Sequence, residues 1–263
     1  MNKRHFLRAL LLTAVIGSSG ITLNAHADAL AAAEKSGVLR IAVPQDFPPF
    51  GTVGPDLKPR GYDIDVANLI GRELKLKVEL IPVSSTNRIP YLTTGKADLV
   101  ISSLGKNPDR EKVIDFSVAY APFFNGIFGP TDVSIKKIED TAGKTVGVTR
   151  GSVEDLEFSK IAPSSTTVKR FEDNNATISA YLSGQVQLIA TGNVVAAAVN
   201  ESSKLRRLET KFLIKDSPCF VGVNKGEAAL LAKVNEVIGK LKRSGDLNKV
   251  ALRWLQAPLP GTL

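Results

Sequence analysis

Short β-branched runs alternate with stretches of helical periodicity along most of this 263-residue chain, and that alternation admits few folds. It is the pattern of α/β units, in which helices cover the faces of a parallel or mixed sheet. Val38 to Val43 reads as a first strand. Ile64, Ala67, Leu69, Ile70 and Leu74 form one face of a helix, and Leu76 to Ile81 reads as a second strand. A short helix is predicted over Asn87 to Thr94 and a strand over Asp98 to Ser102. A second series starts near Val133. Ser134 is placed to cap a short helix, Thr145 to Val148 is a strand, and Ser152, three residues before Asp155, opens a helix with a capping box. Strand, helix and strand follow at Thr167 to Phe171, Asn175 to Leu182 and Gln187 to Ala190. Cys219 to Val223 is an apolar strand. Leu230, Leu231, Val234, Val237, Ile238 and Leu241 make a helical stripe that ends at Gly245, and a last helix spans Asp246 to about Leu255.

The first 27 residues have the layout of an export signal. Lys3, Arg4 and Arg8 precede a short apolar run from Leu10 to Ile16, and Ala25-His26-Ala27 is a small-x-small cleavage site. Cleavage after Ala27 is expected, with a periplasmic product beginning at Asp28. No later segment approaches the roughly 20 apolar residues that a membrane helix needs. Cleavage would remove three of the 34 Lys and Arg and none of the 26 Asp and Glu, taking the formal charge from +8 to +5. The remaining basic residues are spread along the chain and not gathered into a nucleic-acid footprint, so no nucleic-acid partner is expected.

Both histidines, His5 and His26, fall within that signal. Residues 28–263 therefore hold no histidine and one cysteine, Cys219. The usual nucleophile-base pairs and zinc sites cannot be assembled from that set, so neither catalysis nor a metal or cofactor is expected. Cys219 lies in an apolar run and is expected to be a buried, unreactive thiol.

Several segments in fixed order resemble one family. They are Gly61-Tyr-Asp-Ile-Asp-Val-Ala, Asn87-Arg-Ile-Pro, Gly95-Lys-Ala-Asp-Leu-Val-Ile-Ser-Ser, and Asp109-Arg-Glu-Lys-Val-Ile-Asp-Phe-Ser followed by Tyr120. Val146-Gly-Val-Thr-Arg-Gly-Ser and Gly184-Gln-Val-Gln extend the series. Together they are similar to the polar amino-acid branch of the extracellular solute-binding proteins of ABC importers. The resemblance implies a type II periplasmic-binding fold. Each of its two lobes is a mixed sheet flanked by helices, and two hinge strands join them. It places residues 28–124 plus 219–263 in one lobe and 125–218 in the other, with hinges at Phe124 to Phe128 and Ser217 to Val221. A monomer that delivers a small carboxylate-bearing ligand, a polar or acidic amino acid, to a membrane ABC permease is the function implied.

The same resemblance nominates ligand contacts. Arg110 matches the arginine that takes the ligand α-carboxylate, a task suited to the planar guanidinium fork. Ser102 and Ser103 match positions offering hydroxyl and backbone groups. Gly105 stands where a hydroxyl residue is usual and leaves only backbone. Ser152 matches a hydroxyl residue at a helix start, where free N–H groups favour an anion. Phe47 and Phe50 match aromatic positions that cover the ligand's apolar part. Arg88, with Ser85 before it, resembles the arrangement in aspartate- and glutamate-binding members, and a second cation there would favour an acidic side chain; otherwise Arg88 braces its lobe.

One position departs from the family. An acidic residue usually receives the ligand ammonium just after the Gly184-Gln-Val-Gln run, and here that position is Gly192. Either Asn193, Thr191 or Asp46 compensates, or the ligand lacks a free ammonium. Pro44 stands where binders of basic amino acids carry an acid, which disfavours a cationic side chain. Two rival readings share the fold. One is a secreted enzyme such as a cyclohexadienyl dehydratase, with Glu154 or Asp46 as general acid; the other is a ligand sensor docking on a membrane receptor.

Overall fold

The computed structural model describes residues 28–263, so the predicted export signal and its cleavage site lie outside the described residues. In chain order the first stretch is α1 (Ala29–Ser36), β1 (Val38–Pro44), β2 (Asp46–Phe47), β3 (Gly51–Val53), β4 (Pro59–Arg60), α2 (Tyr62–Leu74) and β5 (Lys77–Val83). It continues through α3 (Arg88–Thr93), β6 (Leu99–Leu104), α4 (Pro108–Glu111) and β7 (Ile114–Ala121). The next stretch is β8 (Phe124–Gly129), β9 (Thr145–Thr149), α5 (Val153–Ile161), β10 (Thr167–Phe171) and α6 (Asn174–Leu182). After β11 (Leu188–Gly192), α7 (Asn193–Ser202) and β12 (Glu209–Asp216), the chain ends with β13 (Cys219–Asn224), α8 (Ala228–Ser244) and α9 (Asp246–Trp254).

Ten of these strands form two five-stranded mixed sheets, each the floor of one lobe. The first has the order β5-β1-β6-β13-β7 and the second β10-β9-β11-β8-β12. The topologies correspond. In each sheet three parallel strands lie together, β5-β1-β6 and β10-β9-β11, and a fourth strand, β13 or β8, runs antiparallel to its neighbours. The central strand β6 is buried along its whole length, as a strand covered by helices on both faces must be. The chain leaves the first sheet after Ala121, enters the second at Phe124, and returns between Asp216 and Cys219. The two crossings are joined where Ser217 N–H donates to the Phe123 carbonyl at 3.0 Å.

Local chemistry explains where the site-bearing elements begin. Gly61 precedes α2 with φ of 142°, and a Cβ there would run into the Phe50 carbonyl, so only glycine lets the chain turn into the helix at this point. Ser152 caps α5, its Oγ accepting from Asp155 N–H at 3.1 Å, but the predicted capping box is not closed, because Asp155 Oδ2 accepts from Gly151 N–H instead of Ser152 N–H. The α8 stripe buries Leu230, Val234, Val237, Ile238 and Leu241, and Gly245 ends the helix in the left-handed conformation. Ser134, by contrast, caps nothing. The turn there is a 3₁₀ segment, Ile138–Thr141, that starts from Lys137. Elements α1, β2, β3, β4, α4, β7, α7 and β12 have no counterpart in the sequence reading.

The lobes face each other with the C-terminal ends of their parallel strands, where α/β sheets hold ligands. Facing segments touch directly. Asn174 N–H donates to Asp46 Oδ2 at 2.6 Å, the Thr86 hydroxyl to the Arg150 carbonyl at 3.2 Å, and the Asn107 amide to Glu157 Oε1 at 3.3 Å. The structure is therefore that of a closed cleft.

Candidate ligand-binding site

Buried polar atoms without partners converge on one place between the lobes. Six residues among those described carry such side-chain atoms: Ser85, Arg88, Ser102, Ser103, Asn125 and Ser217. All except Ser102 line a single cavity, together with Phe47, Gly105, Phe123, Ser152, Val153 and Glu154. Leaving a buried donor or acceptor unpaired costs about 1–3 kcal/mol each. Five such residues around one cavity therefore describe a surface organised for a polar occupant and not a packed core. The room inside is small, about one water's worth. A solute enters only when the lobes part.

Each wall has a structural cause. Arg88 opens α3 just after β5 and is only 4% exposed. Its Nε has no hydrogen-bond partner, and its guanidinium sits 6.0 Å from the Phe47 ring centroid. Burial lowers its pKa, while Glu154, Asp46 and Asp63 act to raise it. Ser103 ends β6 with φ of 41°, unusual for a residue with a side chain. Asp63 on α2 holds it there, accepting from Ser103 N–H at 2.6 Å on Oδ2 and from the Tyr120 hydroxyl at 2.7 Å on Oδ1. Burial pushes the Asp63 carboxyl up to about 7, and the bonds from Tyr120 and Ser103 pull the other way.

From the second lobe, Ser152, Val153 and Glu154 bring the start of α5 to the cavity. Burial raises the pKa of Glu154; its own backbone N–H and the Ser152 hydroxyl, and then Arg88 and Arg110, act to lower it. Asn125 and Ser217 come from the two crossings and complete the wall. Phe123 stands beside them and is packed edge-on to Phe50, with ring centroids 5.5 Å apart.

Of the residues singled out in the sequence, the structure brings Phe47, Arg88, Ser103, Gly105 and Ser152 to the cavity wall. Phe50 lies behind it, stacked on Phe47 at 6.1 Å. Ser102 is buried off the wall. The Arg110 guanidinium, also off the wall, donates to the Gly105 carbonyl at 2.7 Å and to the Gly151 carbonyl at 3.0 Å. Burial, reinforced by Arg88, lowers its pKa to about 10.

None of the three residues weighed as replacements for an acid at Gly192 reaches the cavity. Asn193 Oδ1 accepts from Phe124 N–H at 3.1 Å, Thr191 is buried within β11, and Asp46 is engaged by Asn174. Gly192 itself has no space for a side chain, because a Cβ there would collide with the Phe123 ring.

Asn125, Ser217 and Phe123 escaped sequence reasoning as site residues. The only signal was a single polar residue inside each apolar crossing, Asn125 after two phenylalanines and Ser217 before Pro218. Cys219 is buried as expected, and burial raises its thiol pKa well above the ordinary value. Among the described residues no cluster of His, Cys, Asp or Glu could hold a metal ion, and no helix is long and apolar enough to cross a membrane.

Comparison with known proteins agrees with this architecture. Residues 39–257 match the family described as bacterial extracellular solute-binding proteins, family 3. A glutamine-binding protein of an ABC transporter from Bacillus subtilis is 27% identical over 259 residues, covering 95% of this chain and 94% of the relative. An L-cystine-binding protein of Escherichia coli is 22% identical over 258 residues, covering 97% and 96%. Among solved structures, a mutant of the arginine-binding protein ArgBP from T. maritima superposes with a TM-score of 0.81 at 27% identity, covering 87% of this chain and all of that one.

Proposed function

The chain belongs to the bacterial extracellular solute-binding proteins of family 3, and from that premise we propose that it is a monomeric periplasmic receptor that delivers a polar amino acid to an ABC permease. It is a binding protein and not an enzyme, as its relatives are. The observation that carries the reading is the convergence of unpartnered buried polar groups on the interlobe cavity around one free guanidinium, Arg88. A ligand carboxylate seated on Arg88, with hydroxyls from Ser85, Ser103 and Ser217 beside it, would satisfy groups that otherwise carry a desolvation cost.

The ligand we favour has one carboxylate and an uncharged polar side chain. Arg110, the other guanidinium near the cleft, already holds the carbonyls of Gly105 and Gly151, which leaves one cation on the wall for one carboxylate. The glutamine specificity of one relative fits this charge class, whereas cystine, the ligand of another, carries two carboxylates. We assign residues 1–27 to the export signal and the lobe boundaries to residues 124/125 and 218/219, with the crossings as hinges for closure.

A thermal-shift panel tests the reading, because a ligand bound only by the folded state raises apparent stability by mass action. Glutamine, cystine, arginine and glutamate form the panel. A raised melting temperature with an uncharged polar amino acid is expected. No shift with any of them would overturn the reading.

A further inference from the structure

Among the described residues, Asn125 is the one carboxamide on the cavity wall. It sits in β8, the first of the two crossings, where its backbone pairs with Gly192 of β11 on one side and Lys215 of β12 on the other. The side chain is therefore carried by a strand held on both edges, and the residue is 1% exposed. Neither its oxygen nor its nitrogen has a hydrogen-bond partner. The other unpartnered groups on the wall are of a different kind. Ser85, Ser103 and Ser217 bear hydroxyls that turn to donate or accept as an occupant requires, and the Arg88 Nε only donates. Asn125 sets a fixed acceptor and a fixed donor side by side in one plane.

From this pair of unpartnered atoms we infer that Asn125 reads the side chain of the bound solute and selects a primary carboxamide, so that the ligand is glutamine or asparagine. The inference rests on the amino-acid reading of the cavity and adds the side-chain chemistry that an uncharged polar class leaves open. Two carboxamides pair through two N–H···O bonds, the oxygen of each accepting from the nitrogen of the other, and such a pair satisfies both atoms of Asn125 at once. Other side chains leave at least one of them stranded. A carboxylate brings acceptors only and would set an oxygen against the Asn125 oxygen. A guanidinium or ammonium brings donors only and strands the nitrogen. A thioether or hydrocarbon strands both. Because the amide is buried, a stranded atom keeps its full desolvation cost, and discrimination follows from those unpaired alternatives. The pairing of β8 on both edges keeps the anchor of the amide from shifting towards a solute that fits less well.

Calorimetric titration of the purified protein with glutamine, asparagine, glutamate, methionine and cystine tests the assignment. Methionine has nearly the length of glutamine but offers no donor and only a weak acceptor. The wild type is expected to bind glutamine or asparagine about tenfold to a hundredfold more tightly than glutamate or methionine, the range for one well-formed two-point pair. Asn125→Leu nearly keeps the size of the side chain and removes both polar atoms. It is expected to bring that carboxamide and methionine to within about threefold of each other, mainly through loss of affinity for the carboxamide. A wild type that binds glutamate, methionine or cystine as tightly as the better carboxamide would overturn the assignment without any variant and leave the amino-acid reading standing. A folded Asn125→Leu protein that keeps the full preference, the result expected if water alone satisfies Asn125, would overturn it as well. So would a variant that loses every amino acid equally. If the wild type bound none of the five, the amino-acid reading itself would fail and the assignment with it.

Discussion

Arg110 of the first lobe is bonded to the Gly151 carbonyl of the second at 3.0 Å, and the same guanidinium holds Gly105 of its own lobe at 2.7 Å. Gly151 immediately precedes the α5 cap Ser152, so the arginine fastens the closed cleft at the edge of the cavity. The sequence resemblance gives this residue the ligand carboxylate; the closed structure gives it a bond between lobes.

Removing that bond should shift the balance between open and closed states. Arg110→Met is expected to weaken ligand binding by about tenfold or more, since hydrogen bonds to charged groups contribute about 1.5–3 kcal/mol. Small-angle X-ray scattering should show a larger radius of gyration for the ligand-free variant than for the wild type. Equal radii would mean that Arg110 does not hold the lobes together.

Arg88 should show the opposite relation between binding and stability. Its charge is buried and its Nε unpartnered, so an apolar side chain of similar size removes a desolvation cost that no hydrogen bond offsets. Arg88→Met is therefore expected to lose ligand affinity by at least a hundredfold, the cost of about 3 kcal/mol for a desolvated charge pair, while the ligand-free melting temperature stays level or rises. Thermal melts and titrations of the same sample check both halves. A variant that unfolds readily and still binds would identify Arg88 as a brace for its lobe.

Asp63 sets a pH dependence of folding. Its carboxyl is pushed up to about 7 from 3.8, with burial the main cause. A carboxyl whose pKa is raised on folding favours the native state in its protonated form. That contribution is complete below about pH 4 and is lost as the pH rises towards 7. Three pKa steps amount to at most about 4 kcal/mol. Urea melts of the wild type and Asp63→Asn between pH 4 and 8 should therefore show the wild type losing ground to the variant as the pH rises. A pH-independent difference would contradict the assignment.

Phe123 and Gly192 are coupled by contact. Gly192→Ala places a Cβ against the Phe123 ring and is expected to cost about 1–3 kcal/mol, the usual penalty for overpacking. In a Phe123→Ala background most of that cost should disappear. A double-mutant cycle by denaturant melts measures the coupling, and additive effects would show that the ring yields freely.

How much of this was legible beforehand depends on where the information sits. The β1, α2, β6, α5 and α8 segments announce themselves because each has a clear period and its own start or stop signal, such as Ser152 or Gly245. The strand β12 does not. It is a sheet edge whose alternation is broken by register shifts between Thr210 and Phe212 and between Leu213 and Lys215. The α7 segment, Asn193–Ser202, is a run of valine and alanine that periodicity cannot tell from a strand. The site divides the same way. Arg88, Ser103 and Ser152 lie in recognisable motifs, whereas Asn125 and Ser217 gain meaning only when two crossings distant in sequence come together. The engagement of Arg110 by two carbonyls is a property of lobe closure, which no local pattern encodes.

The central claim is that the interlobe cavity around Arg88 is an amino-acid site, and isothermal titration with glutamine and cystine tests it most directly. The account predicts saturable binding at one site per chain for at least one of them, lost in Arg88→Met with the fold intact. Binding that survives unchanged in Arg88→Met, or no heat with either amino acid, would contradict it.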